Sequence, residues 1–150
     1  DCALGCDVMV GFPGEEGGHY ENTYRLLRDL PMTYLHVFPY SLRSNTPAER
    51  LPGHLSRSDK ADRVQRLIAL GKEKQMTFHR SFVGQRVYPL VEDRRDRTSG
   101  LQVGLTDNYL KVLLDHEDGR DGQHVGYDVG DIIDVQVTHA RDDIVFGTLV

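Results

Sequence analysis

Cysteine is scarce: the 150 residues contain two, Cys2 and Cys6. That is too few for the disulfide framework of a small secreted domain. Cys2-x-x-x-Cys6 begins a three-thiolate iron-sulfur pattern, but Met9 stands where the third thiolate would be; the expected role of both residues is a small buried apolar group or a fraying terminus. Long apolar runs are also missing, none approaching the roughly 20 residues of a membrane-spanning helix. Residues 1 to 15 lack the basic start and cleavage pattern of a signal peptide, so a cytoplasmic protein is expected. Basic charge is thin in the second half. Residues 1 to 78 carry 10 Lys+Arg against 10 Asp+Glu, residues 79 to 150 carry 8 against 13, and the net charge is -5. Bulk electrostatics therefore argue against tight autonomous binding of nucleic acid by the second half, although a local basic patch remains compatible with that balance. No Ser-His-Asp arrangement is legible. His116 and His124, with Asp115, Glu117, Asp118 and Asp121, match neither an EF-hand loop nor a zinc motif and are expected in a solvated loop.

What is present begins with Asp7-Val8-Met9-Val10-Gly11-Phe12-Pro13-Gly14-Glu15, which predicts a parallel strand, buried on both faces, running into a Gly/Pro turn. Tyr20, Tyr24, Leu27 and Leu30 then recur at helical spacing before Pro31, and Tyr34 to Ser41 forms a second strand-like run. Strand, helix and strand make the right-handed crossover of a parallel sheet. Its ligands bind outside the carboxyl ends of the strands. Ser41 to Ser58, with Pro47, Pro52 and Gly53, is expected as a surface loop. A helix is predicted from an N-cap at Ser58 to about Phe78, with Ala61, Val64, Leu67, Ile68 and Met76 on one face. Gly71 weakens it. Its Lys60, Arg63, Arg66, Lys72 and Lys74 are either a solvated face or a basic edge toward an RNA backbone.

Beyond residue 79 the period changes. Short alternating runs at Arg86 to Glu92, Leu101 to Thr106, Tyr109 to Leu114, Ile132 to His139 and Ile144 to Leu149 predict a small closed barrel. Asp115 to Asp131 is an acidic, Gly-rich excursion. The predicted fold class is thus α/β followed by all-β, with a boundary near residue 78.

The Asp7 to Glu15 segment, the run His36-Val37-Phe38-Pro39-Tyr40-Ser41 and Gly104-Leu105-Thr106-Asp107-Asn108-Tyr109-Leu110 together resemble the radical S-adenosylmethionine methylthiotransferases. Within that family, the second and third segments are most similar to the enzymes acting on threonylcarbamoyladenosine beside the tRNA anticodon. The resemblance implies that residues 1-78 are the last strands and helices of a partial β/α (radical SAM) barrel. Residues 79-150 would be a TRAM (OB-like) β-barrel that binds RNA. It implies S-adenosylmethionine contacts at Gly11, Phe12, Gly14, Phe38, Tyr40 and Ser41, and contacts to the tRNA anticodon stem-loop at Arg80, Arg86, Thr106, Asn108 and Tyr109. The alternatives at these positions are a tight strand-to-helix turn, a buried strand end holding Phe38, a plain hairpin turn at Thr106 to Tyr109, and solvated surface arginines. The chain departs from the family at Glu16-Gly17-Gly18-His19, where Thr and acidic residues are expected, and at Ser44-Asn45, where the family has Pro-Gly.

The family's [4Fe-4S] clusters have no ligand motif here, so the chain is expected to be inactive without a missing amino-terminal portion of the same enzyme. Two other functions compete with that reading. One is a non-catalytic RNA-binding module in residues 79-150. The other is self-association through strand edges and an apolar face that a half barrel leaves uncovered.

Overall fold

The computed structural model describes residues 2-115, 126-141 and 144-150. The histidine-rich excursion therefore lies largely outside the described residues. Two compact units are present, one containing Ala3–Lys74 and the other Gln75–Val150.

In the first unit, β1 (Gly5–Val10) and β2 (Tyr34–Pro39) pair in parallel, and α1 (Gly17–Asp29) connects them. α2 (Arg57–Ser81) follows a loop that contains one short 3-10 turn, Pro47–Arg50. Val8, Val10, Tyr20, Leu27, Leu67 and Leu70 form the core, with Cys6, Tyr24, Leu35, Val37 and Val64 packed around it. Cys6 thus serves as a small core-edge residue.

The expectation that β1 is buried on both faces is corrected. Its side chains alternate, as a pleated strand requires, and the helices cover only the face bearing Val8 and Val10. Met9 is 46% exposed and Phe38, its neighbour across the ladder, is 38% exposed. The other face is thus bare, with Met9 and Phe38 beside the exposed Asp7–His36 pair. Gly71 explains itself in this packing: a β-carbon there would press on Leu35 of β2, so its absence permits the close approach of helix and strand.

α2 begins one residue earlier than Ser58 and is capped by Ser56, not Ser58. The Ser56 hydroxyl accepts the Asp59 amide at 3.1 Å and donates to the Asp59 carboxylate at 2.7 Å, an exchange that satisfies one orphan first-turn donor.

In the second unit, β3 (Arg86–Val87) and β4 (Leu90–Arg95) replace the single predicted first strand. Pro89 separates them, lacking the amide a continuous ladder needs. β5 (Gln102–Leu105), β6 (Lys111–Leu114), β7 (Val135–Arg141) and β8 (Ile144–Leu149) complete a mixed sheet of order β3-β7-β8-β6-β5-β4. Every neighbouring pair is antiparallel except β6 and β8. The sheet curls until its ends meet. The Val91 amide donates to the Asp131 carbonyl at 2.8 Å and the Gly130 amide to the Val91 carbonyl at 2.9 Å, joining β4 to the segment that enters β7. Val91, Leu110, Val112, Leu114, Val135, Val137 and Val145 fill the interior, and Phe78 and Phe82 from the end of α2 pack against the same core.

The β4–β5 connection is held by Asp96. Its carboxylate accepts the Ser99 amide and hydroxyl, both at 3.0 Å, the Thr98 amide at 3.1 Å, and lies 3.4 Å from the Lys111 ammonium. These donors, Ser99 first, pull its pKa from 3.8 down to about 2. Because the folded value is depressed, the stabilisation is present above the unfolded value and is lost as pH falls through the folded one. Wild-type stability should therefore decline across the window from 3.8 to about 2. Asp96→Asn should flatten that decline and lower stability at neutral pH; acid titrations of both proteins, followed by urea unfolding, would expose an Asp96 without this role as two parallel curves.

Candidate functional site

The turn after β1 and the end of β2 lie side by side. The Tyr40 amide donates to the Val10 carbonyl at 2.7 Å, and the Phe12 and Tyr40 rings meet edge to face with centroids 5.3 Å apart. Gly11 has φ +77 and Gly14 has φ +85, in the left-handed region that glycine alone enters without steric cost. The Gly14 amide donates to the Gly53 carbonyl at 3.0 Å, which ties the long loop to the turn. Gly11, Phe12, Gly14 and Tyr40 are thereby brought together at the carboxyl ends of adjacent parallel strands. Phe38 is on the bare sheet face beside Met9, and its ring lies 5.7 Å from that of His36. Ser41 is exposed on the rim.

Residues that local sequence rules do not single out hold this arrangement. The Glu15 carboxylate accepts the Gly11 amide, closing the turn on itself. It also pairs with Arg63 at 3.0 Å, both side chains about 15% exposed or less, while the same guanidinium donates to the Glu15 carbonyl at 2.8 Å. Arg63 rests over the Tyr20 ring at 5.2 Å, and the Tyr20 hydroxyl donates to the Arg63 carbonyl at 3.0 Å. Burial raises the Tyr20 pKa, so the phenol stays a donor. Lys60 crosses Gly11 and donates to the Tyr40 carbonyl at 3.3 Å.

The basic residues of α2 therefore have a different use from either one expected. Arg66 pairs with Glu21 at 2.7 Å, and Lys74 donates to the Arg28 and Leu30 carbonyls at 2.8 Å, satisfying the end of α1. Four of the five cations bind the first unit to itself. The departure at Glu16 to His19 also has an account: the His19 Nδ1, at the third helical position, accepts the amide of the N-cap Glu16 at 3.2 Å, the contact that an acidic side chain makes from that position in a capping box.

In the second unit, Thr106, Asn108 and Tyr109 form one turn between β5 and β6. The Thr106 hydroxyl lies 2.5 Å from the Asn108 side-chain oxygen and accepts the Leu110 amide at 2.9 Å. Thr106 is buried and its hydroxyl is committed to that turn. Tyr109 stands 76% exposed on a backbone with φ 62. Its ring is presented outward by a conformation unusual for a non-glycine residue. Arg86 reaches Asp134 at 3.3 Å, and Arg80 contacts the Met76 sulfur at 3.7 Å from an exposed position.

Among the described residues no group of three or more metal-ligating side chains is present. With only two cysteines in the whole chain, the donor set does not fit a Cys-held iron-sulfur cluster.

No family model matches the chain. It is 36% identical over 114 residues to the threonylcarbamoyladenosine tRNA methylthiotransferase MtaB of Bacillus subtilis, covering 75% of this chain and 25% of that protein. It is 38% identical over 112 residues to the tRNA-2-methylthio-N(6)-dimethylallyladenosine synthase of Protochlamydia amoebophila, with the same coverage. The chain is a homologue of part of the tRNA methylthiotransferases. It spans about a quarter of the length of the curated relatives it matches. No described helix of this methylthiotransferase homologue is long and apolar enough to cross a membrane.

Proposed function

We propose that the chain forms the carboxyl-terminal part of a radical S-adenosylmethionine tRNA methylthiotransferase, contributing one wall of the cofactor pocket and an RNA-docking barrel. The observation that carries this reading is the junction of the Gly11 to Gly14 turn with Tyr40 at the carboxyl ends of β1 and β2, the position at which parallel sheets bind ligands. S-adenosylmethionine fits such a junction. Its adenine would lie against the Phe12 and Tyr40 rings, with Phe38 and Ser41 bordering it and the turn from Gly11 to Gly14, whose two glycine amides are held by Glu15 and Gly53, shaping the edge of the pocket. When bound, it supplies the radical and methyl chemistry. The part played by these residues is to hold and orient it. Met9, Phe38 and the rest of the bare sheet face would be covered by the remaining barrel of the parent enzyme, or by a second copy of this chain.

The second unit corresponds to the TRAM barrel of that reading. Taking β3 and β4 as one bent strand, its order runs 1-2-3-5-4 and closes, with strands 3 and 5 parallel, which is the OB-like arrangement. Such barrels bind single-stranded nucleic acid by stacking and by hydrogen bonds to base edges. Tyr109 is the proposed stacking ring, Asn108 and Thr106 set its turn, and Arg80 and Arg86 would meet phosphates. The two relatives are named for different modified adenosines at nearly equal identity, so the choice of threonylcarbamoyladenosine rests on the run His36 to Ser41 together with Gly104 to Tyr109. A cytoplasmic location follows from a tRNA substrate.

Binding of a fluorescent anticodon stem-loop to the 150-residue chain at low salt tests the RNA half. Tyr109→Ala should weaken it about tenfold, as loss of one stacked base does; undetectable binding by the wild type would refute RNA docking by this barrel. Methylthiolation by the chain alone should be absent. A non-catalytic RNA-binding module would bind equally well, yet would confer no activity when the cluster-bearing portion of a relative is supplied.

A further inference from the structure

We infer that the cleft between the end of β2 and the first turns of α2 is a binding site for phosphate oxygens. Neither the proposed cofactor contacts nor the similarity to methylthiotransferases assigns Arg57 or Lys60 a ligand, although the cleft shares Tyr40 and Ser41 with the proposed cofactor contacts. The cleft has a volume of about 440 Å³ and is lined on one side by Tyr40 and Ser41, on the other by Arg57, Lys60 and Gln65. None of its lining residues is acidic. The larger cleft of the same unit, about 720 Å³, contrasts with it in carrying Glu15, Glu16, Glu21, Asp59 and Asp62.

Three observations make the smaller cleft suited to an anion. Among the described residues Arg57 has no carboxylate partner, and Lys60 spends one N–H on the Tyr40 carbonyl at 3.3 Å, leaving two for a ligand. Tyr40, on one side of the cleft, is 8% exposed, and among the described residues its buried hydroxyl has no hydrogen-bond partner, a condition that costs free energy. The cleft also adjoins the start of a 25-residue helix, where the macrodipole is positive and first-turn amides lack helical acceptors. Asp59, the one acid in that turn, is engaged by Ser56 and lines the other cleft.

A fork-shaped guanidinium beside an ammonium, with a hydroxyl and an amide on the rim, is the donor set that recognises phosphate. The phosphate can belong to an RNA backbone or to a free phosphate ester, since both present the same oxygens.

Titration of the isotopically labelled 150-residue chain with inorganic phosphate, followed by NMR, decides the matter. Saturable shifts are expected at the Ser41, Leu42 and Ala61 amides and at Arg57 Nε, and should be absent with chloride at matched ionic strength. Arg57→Gln should weaken phosphate binding about tenfold, the loss of one charge-assisted contact, whereas Lys60→Arg should retain it. Competition by a short single-stranded RNA would identify a backbone phosphate as the ligand. Phosphate binding that the RNA leaves undisturbed would identify a free phosphate ester. Absence of saturable shifts overturns the inference, as does unchanged phosphate affinity in Arg57→Gln with an otherwise preserved spectrum.

Discussion

Arg63→Ala should destabilise the first unit by about 3 kcal/mol, the cost of leaving one member of a largely buried ion pair without its partner. The guanidinium and the Glu15 carboxylate are 3.0 Å apart, with side chains 15% and 14% exposed. Its removal also strips the Glu15 carbonyl of a donor at 2.8 Å and takes one of two guanidinium groups, Arg63 but not Arg66, off the Tyr20 ring. Among the described residues the Glu15 carboxylate would then keep the Gly11 amide alone as a partner. Hydrogen exchange at the Val8 and Val10 amides reads the loss where it occurs. Removing both charges tests the cause: Glu15→Gln combined with Arg63→Met should cost less than Arg63→Ala alone, because no buried charge is left unpaired. Equal costs would assign the effect to packing of the Arg63 stem on Tyr20, not to the ion pair.

Gly11→Ala should be nearly as damaging, by about 2 to 3 kcal/mol, for two separate reasons. The position has φ +77, where an L side chain pays about 1 to 2 kcal/mol. A β-carbon would also overlap the Lys60 stem, which crosses this glycine on its way to the Tyr40 carbonyl. The lysine can move, but only by giving up that hydrogen bond. Gly14→Ala, at φ +85 with open space around the added carbon, should show the conformational cost alone. The difference between the two variants in urea unfolding thus measures the Lys60 contact; identical losses would mean that Lys60 contributes nothing to holding the turn.

Both changes act on a turn whose function is geometric. A cofactor held by backbone groups depends on where those groups point, so Glu15 and Arg63 are positioning residues of the proposed site even though they need not touch the ligand. Neither stood out in the sequence as a partner of the other. Glu15 appears there as the last residue of a Gly/Pro turn, and Arg63 as one of five cations on an amphipathic helix.

Much of the architecture was legible. Tyr20, Tyr24, Leu27 and Pro31 marked α1 because helical spacing and a terminator are local properties. The alternation from Leu101 onward marked β5, β6, β7 and β8 because a pleated strand exposes alternate side chains. The Gly11 and Gly14 positions were legible because a turn of that kind demands left-handed backbone that glycine adopts freely.

Other features were decided only when distant segments met. Pro89 divides a run that alternates convincingly up to Glu92, since whether a missing amide breaks a ladder depends on what lies opposite it. The bare face at Met9 and Phe38 reflects how many layers cover a sheet, which the composition of one strand does not specify. The use of the α2 cations is the clearest case. Arg63 meets a carbonyl 48 residues away and Lys74 meets carbonyls 44 and 46 residues away. A cation on a helix surface has the same local sequence whether it faces water, RNA or the end of another helix. By itself, then, the sequence determined the elements, their order and the residues of the turn, because these obey interactions within a few residues. Which side chains hold that turn, and which cations stay free to meet a ligand, was decided by tertiary packing, because only there do charges and carbonyls from separate elements come within bonding distance.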